Sequence, residues 1–182
     1  MHKTSMKEKD VVATMSYESP CGVLLLGSSG GRLCLCDWLV ERHHARVERR
    51  LERLLHAGFE EGMSPVTEEA ARQLDGYFAG KRREFDVPLL LTGTEFQKAV
   101  WNELLKIPFG RTVSYGEIAR RIGMPRAVRA VANANGANPM SIFVPCHRVI
   151  GSDRSLTGYG GGIETKRRLL ELEGVCLPEP SR

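Results

Sequence analysis

The chain has 182 residues, 42% of them hydrophobic and 26% charged, and a net charge of +4. Such a composition excludes a low-complexity or disordered chain and fits a soluble globular protein of one or two compact domains. The absence of any apolar run near the roughly 20 residues of a membrane span argues against a membrane protein. The polar start MHKTSMKEKD has no apolar signal core, and five cysteines at irregular spacing (Cys21, Cys34, Cys36, Cys146, Cys176) argue against a disulfide framework, so a cytoplasmic protein is expected.

In the first half, VVATMSYESP and CGVLLLGSSGGRLCLCDWL read as strands, the latter two apolar runs folding over the turn GSSGG as a hairpin. A charged helix follows, with Val47, Leu51, Leu54 and Leu55 at helical spacing and Gly58 as its stop. SPVTEEAARQLDGYFAG reads as a second helix capped by Thr67 and stopped near Gly80, and FDVPLLL as a strand. The expected fold class is α/β (α+β), with residues 1–91 forming a small strand-and-helix domain.

Residues 92–182 read as a mainly helical second domain. TEFQKAVWNELLKIPFG opens on a capping box, Thr94 to Gln97, and SYGEIARRIG repeats the device with Ser114 and Glu117. MPRAVRAVANANG starts a further helix with Pro125 in its first turn. Two short helices around a tight turn at Gly123 form a helix-turn-helix. SIFV reads as a short strand, GSDRSLTGYGGG as a loop, and IETKRRLLELEG as a last helix closed by Gly174.

Charge is uneven along this order. Residues 1–92 hold 13 Lys and Arg against 14 Asp and Glu, whereas residues 93–182 hold 13 against 8. Arg120, Arg121, Arg126 and Arg129 cluster at the presumed second helix of the hairpin, where cations suit phosphate contacts. Ala127, Ala130, Ala132, Ala134 and Gly136 give that helix small residues that permit close approach to a groove but read few base edges. DNA binding with little sequence specificity is the expectation; a plain helical hairpin with solvated arginines explains the segment as well.

Beyond the hairpin lies NPMSIFVPCHRVIG, with Cys146 between Pro145 and His147. A thiolate is the nucleophilic form of cysteine, so such a site must remove the thiol proton. Neighbouring side chains on a regular strand point to opposite faces, but Pro145 breaks a strand and favours a turn. A turn or a bridging water would let His147 take the proton, and a third group should orient the imidazole. Asp153, Glu164, Glu171 and Glu173 all qualify on spacing.

PCHRVIG, preceded by NP and followed by TGYGGG and KRRLLELEG, closely resembles the O6-alkylguanine-DNA alkyltransferases, the methylated-DNA–protein-cysteine methyltransferases. The resemblance is strong over residues 92–176, including GTEFQKAVW and GRTVSYGEIA, and general in the first half, where it implies a ribonuclease-H-like domain. It implies direct-reversal DNA repair: a base alkylated on its exocyclic oxygen is flipped from duplex DNA, and Cys146 takes the alkyl group irreversibly as a thioether. Methyl from O6-alkylguanine is the implied substrate, with O4-alkylthymine left open, and a monomer without cofactor is implied.

By the same resemblance, Glu173 hydrogen-bonds His147, which activates Cys146 through water, and Asn138 braces the active-site turns. Tyr115 helps rotate the nucleotide and donates a proton toward the leaving guanine, and Arg129 intercalates into the space of the flipped base. The backbone carbonyls of Cys146 and Val149 accept from the guanine amine, and Tyr159 lies on the pocket loop. Gly160 stands where a serine is frequent, removing a hydroxyl that could reach the guanine oxygen. With Gly161, Gly162 and Ser141, it suggests a roomier pocket wall.

Three rival readings are weaker. A DNA-binding regulator leaves Pro145–Arg148 and Glu173 unexplained, a cysteine hydrolase lacks a marked oxyanion site, and Cys146 argues against a non-repairing alkyltransferase-like protein. A zinc site from Cys34, Cys36, His43 and His44 does not match usual spacing, and strand alternation accounts for both cysteines.

Overall fold

The computed structural model describes residues 11–177. Its first half is a four-stranded sheet in the order β3-β2-β1-β4, from β1 (Val11–Ser19), β2 (Gly22–Ser29), β3 (Arg32–Trp38) and β4 (Gly58–Glu61). The β2–β3 hairpin turns at Gly30 and Gly31, both at positive φ, as GSSGG predicts. β4, which periodicity did not reveal, runs parallel to β1.

Helix α1 (Glu41–Leu55) covers one face of the sheet, burying Val47 and Leu51 against Val12, Cys34 and Leu35. Leu54 is not on that face and is exposed, and the helix ends at His56 in the left-handed region rather than at Gly58. Helix α2 (Pro65–Phe78) covers the other face through Ala70, Leu74 and Tyr77. Its cap is Ser64, with Thr67 as the reciprocal partner three residues on. Such a box contributes about 1 kcal/mol.

Strand β3 departs from simple alternation. Gly27 pairs with Leu35 and Ser28 with Leu33, so Cys34 is an extra, unpaired residue of a β-bulge. The bulge sends Cys34 to the α1 side and Cys36 to the α2 side. The C-x-C pair therefore presents no shared face, and no group of three His, Cys, Asp or Glu among the described residues is arranged to hold a metal.

FDVPLLL forms one parallel bridge, Leu33 to Leu89, not a strand. The Pro88 carbonyl accepts from Leu33, but proline has no N–H to continue a ladder. From there the chain enters α3 (Glu95–Leu104) through the Thr94–Gln97 capping box. Two short helices follow, α4 (Tyr115–Arg121) and α5 (Val128–Gly136). Pro125 lies in the turn between them, outside α5, whose N-cap is Ala127. Ala130 is exposed whereas Ala134 is buried and its carbonyl accepts from Trp101 Nε1, so the small residues divide between the outer and inner faces.

SIFV is a buried turn, not a strand. Ile142 adopts φ 72°, an unusual conformation for a β-branched residue, and Val144 N–H returns to the Met140 carbonyl. The run is apolar because it is buried on all sides. A 3₁₀ turn over Cys146–Arg148 leads into β6 (Val149–Ile150), which pairs in parallel with β5 (Val113–Ser114). That two-residue pairing sets the start of the helix-turn-helix beside the end of the cysteine turn. Helix α6 (Ile163–Leu172) closes the fold. The larger core runs from Leu24, Leu26 and Trp38 of the sheet to Trp101, Val131, Cys146 and Leu169, so both halves share it. No helix among the described residues is long and apolar enough to cross a membrane.

Candidate active site

Cys146 opens the 3₁₀ turn and is buried. The segment is a turn and not a strand, so the opposite-face rule for consecutive strand side chains does not apply to Cys146 and His147. Its carbonyl accepts from Val149 N–H and from Asn135 Nδ2 at 3.3 Å. Burial pushes the Cys146 thiol above its ordinary value, opposed in part by a hydrogen bond from Asn138 and the charge of Lys166. The resting group is therefore a thiol that must lose its proton to react.

Asn138 holds the preceding turn closed from both ends. Its Nδ2 donates to the Val144 carbonyl at 2.8 Å and its Oδ1 accepts from Met140 N–H at 3.0 Å. Each such buried bond contributes about 1 kcal/mol and leaves a costly orphan if its partner is removed.

Glu173 is where the elements converge. Its Oε1 lies 2.6 Å from His147 Nε2 and accepts from the Tyr77 hydroxyl at 2.8 Å. Arg148 binds both oxygens, Nε to Oε2 at 2.9 Å and Nη2 to Oε1 at 3.0 Å, and Gly110 N–H donates to Oε2 at 3.0 Å. Gly110 must be glycine: it sits at φ 73°, and a Cβ would lie 2.8 Å from the Glu173 carbonyl oxygen. Burial alone would raise the Glu173 carboxyl, but its bonds to His147 and Arg148 outweigh that and hold it at about 2.

A permanent carboxylate acceptor fixes the imidazole tautomer: Nε2 carries the hydrogen and Nδ1 is the free base. Burial lowers the His147 pKa, against the pull of Glu173, so the ring is neutral. Nδ1 is buried and has no hydrogen-bond partner in the protein among the described residues. A neutral, oriented imidazole directly after a buried thiol is the chemistry of an activated nucleophile.

A cleft of about 550 Å³ is lined by Tyr115, Ala132, Asn133, Gly136, Thr157, Tyr159, Gly160 and His43. Cys146 does not line it, but Tyr115 and Tyr159 lie close enough to Cys146 for its charge to raise the pKa of their hydroxyls. Tyr115 opens α4, and its hydroxyl donates to the Thr157 carbonyl at 3.1 Å. Tyr159 lies on the loop between β6 and α6, and its hydroxyl accepts from Trp38 Nε1 at 3.0 Å. Arg129 is exposed on α5, the helix that brings Ala132, Asn133 and Gly136 to the cleft. The Val149 carbonyl accepts from Lys166 Nζ at 2.6 Å, which leaves one lone pair for another donor.

The cleft wall differs from the roomy one that Gly160 and Gly161 suggest. A Cβ on Gly160 would meet His43 Nε2 at 2.4 Å, and one on Gly161 would meet Trp38 Cδ1 at 2.7 Å. Side chains from the first half already fill that volume.

Sequence reasoning gave no site role to Tyr77, Lys166 or Trp38, named Arg148 only as part of the Pro145–Arg148 run, and named His43 only as a zinc candidate. Lys166 had a readable signal: it shares the i, i+3, i+4, i+7 stripe with Leu169 and Leu170 of α6 and with Glu173 at the helix C-cap, and all four are buried. Its Nζ also donates to the Thr157 carbonyl at 2.9 Å, tying β6 to the cleft loop, and burial lowers its pKa to about 8. Tyr77, Trp38 and His43 come from distant elements and carried no local signal.

Comparison with known proteins places this geometry. A family model described as 6-O-methylguanine DNA methyltransferase, DNA binding domain, matches residues 95–175, and one described as its ribonuclease-like domain matches residues 12–91. The methylated-DNA–protein-cysteine methyltransferase of Mycobacterium leprae (strain TN) is 60% identical over 159 residues, 87% of this chain and 90% of that protein. The crystal structure of the Mycobacterium tuberculosis O6-methylguanine methyltransferase superposes with a TM-score of 0.75 at 46% identity, covering 93% of this chain and 96% of that one. The Mycobacterium tuberculosis OGT structure in complex with DNA matches with a TM-score of 0.74 at 48% identity, over 90% and 92% of the two chains.

Proposed function

Because this chain belongs to the 6-O-methylguanine DNA methyltransferase family and reverses DNA alkylation by transfer to a cysteine, we propose that Cys146 is the acceptor and the cleft beside it the pocket for a flipped O6-alkylguanine. The observation that carries this is the buried His147–Glu173 pair behind a buried thiol. Neutral His147 takes the Cys146 proton through a water at Nδ1, and Glu173 stabilises the imidazolium that results. The thiolate attacks the alkyl carbon, forming the C–S bond as the C–O bond breaks with its electron pair left on the guanine oxygen. Tyr115 gives a proton to the departing base and regains one from the His147 imidazolium through solvent. A thioether has no hydrolysable carbonyl, so each molecule acts once.

Asn138 acts in this reading as the brace of the cysteine turn, and the Cys146 and Val149 carbonyls receive the guanine amine. Tyr159 and Gly160 wall the pocket. The protein works as a cytoplasmic monomer on double-stranded DNA, with residues 1–91 and 92–182 as its two units and no cofactor in the chemistry. The test is direct. After incubation with duplex DNA bearing O6-methylguanine, the intact protein should gain the mass of one methylene per molecule; an unchanged mass with tight lesion binding would reject transfer.

Arg129 fills the gap that the flipped base leaves in the stack. The Arg129→Ala variant should then lose about tenfold in transfer rate on duplex DNA, a fraction of the few kcal/mol that unstacking costs. On a single strand carrying the same lesion, where no stack is opened, its rate should stay near wild type. Single-turnover rates on the two substrates check this, and equal losses on both would refute an intercalating role.

A further inference from the structure

We propose that His43, carried on α1 of the first half, is a lesion-contacting residue that occupies the side-chain space of position 160 and offers its imidazole to the guanine. This rests on the reading of the cleft as the alkylguanine pocket. Three observations point to it.

His43 lines that cleft together with Tyr115, Thr157, Tyr159 and Gly160, although it lies more than 70 residues away from any of them in sequence. A Cβ built on Gly160 would lie 2.4 Å from its Nε2 and 2.8 Å from both Cδ2 and Cε1, so the nitrogen-bearing edge sits where a residue-160 side chain would be. The backbone at Gly160 is not in the left-handed region. A side chain at 160 would have to displace the imidazole above it, whereas the loop's own conformation does not exclude one.

The ring also has a buried acidic neighbour. Nε2 lies 3.2 Å from Oδ1 of Asp37, which is fully buried at the end of β3, and the His43 backbone N–H donates to the Val40 carbonyl at 3.0 Å, which fixes the residue's place in the first turn of α1. Asp37 Oδ2 is engaged by His44 Nδ1 at 3.3 Å, and His44 Nε2 lies 3.8 Å from Glu48. Oδ1 itself has no hydrogen bond of good geometry, so the N–H of His43 is not committed to the carboxylate. Asp37 borders the imidazole on one side, and the ring's edge stays over Gly160 and available to a base in the cleft.

The neighbouring contact repeats the pattern. Trp38 fills the Cβ direction of Gly161 and donates to the Tyr159 hydroxyl. The first half thus backs the Gly160–Gly161 loop with two side chains, of which His43 lines the cleft. A pocket that lacks a hydroxyl at position 160 recovers a hydrogen-bonding group in this way from another element.

Paired substitutions test the arrangement through single-turnover transfer from O6-methylguanine duplex DNA, with thermal melting of each variant alongside. His43→Ala should slow transfer about tenfold, the scale of one lost hydrogen bond to the reacting base. Gly160→Ser alone should also slow it, because the serine Cβ collides with the imidazole. The double variant, with the serine in the emptied space, should transfer faster than either single one. Because the double variant and His43→Ala share the same loss at Asp37, their comparison is insensitive to any shared loss of stability. Additive losses, or a His43→Ala rate equal to wild type, would overturn the proposal. A wild-type protein that takes up no alkyl group would instead overturn the reading of the cleft.

Discussion

Cys146→Ala is expected to abolish alkyl uptake: its intact mass should stay unchanged after incubation with O6-methylguanine DNA, while undamaged DNA binds as before. No other thiol can substitute. Cys34 and Cys36 are buried in the sheet on opposite faces of the bulge, and burial pushes Cys34 up to about 12. Cys21 and Cys176 lie outside the His147–Glu173 network. The variant should remain folded, because a buried thiol packs as a small hydrophobe and its removal costs about 1 kcal/mol. A Cys146→Ala protein that still gains one methylene would show that the acceptor lies elsewhere.

Glu173→Gln should damage both stability and rate. The carboxylate holds Arg148 on two oxygens and also receives His147, Tyr77 and Gly110. An amide offers one oxygen and turns a donor toward Arg148, so a buried guanidinium is left poorly paired. Breaking a buried pair in this manner costs about 3–5 kcal/mol. The neutral His147 loses its orienting acceptor at the same time, and transfer should slow on the order of 10²-fold. Denaturant unfolding and single-turnover rates measure the two effects separately.

The pH dependence follows from the same residue. The folded-state pKa of Glu173 is depressed from 4.5 to about 2. Between those values the unfolded chain binds the proton more readily, so stability falls as the solution is acidified. The contribution is fully present above about 4.5 and is lost as pH drops toward 2. In Glu173→Gln that part of the acid sensitivity should disappear, so the stabilities of the two proteins should converge on acidification. Equal slopes in the two proteins would contradict the assignment.

Much of the helical half was legible because its signals are local. Thr94 with Gln97, and Ser114 before Glu117, mark helix starts by hydrogen bonds spanning three residues. The glycine turn of the β2–β3 hairpin is equally local. Apolar runs are where sequence and structure part. SIFV and FDVPLLL are apolar because they are enclosed, and enclosure does not demand a strand. The bulge at Cys34 was hidden for a related reason: it depends on how β3 registers against β2, which no residue of β3 alone reveals.

For the site, the sequence by itself supplied the proposed nucleophile and its company: Pro145 breaking the strand, Cys146, His147, and a family resemblance that selected Glu173 among four acids. Adjacent residues and a short motif carry that much, because their chemistry does not depend on what packs around them. Only the tertiary structure decided which groups converge on Glu173 and what stands over Gly160. Tyr77, Trp38 and His43 reach the site from the first half through a shared core, at separations of 96, 121 and more than 100 residues. Such contacts follow from how sheet and helices stack on one another, and only packing brings those side chains within reach of the buried cysteine and its cleft.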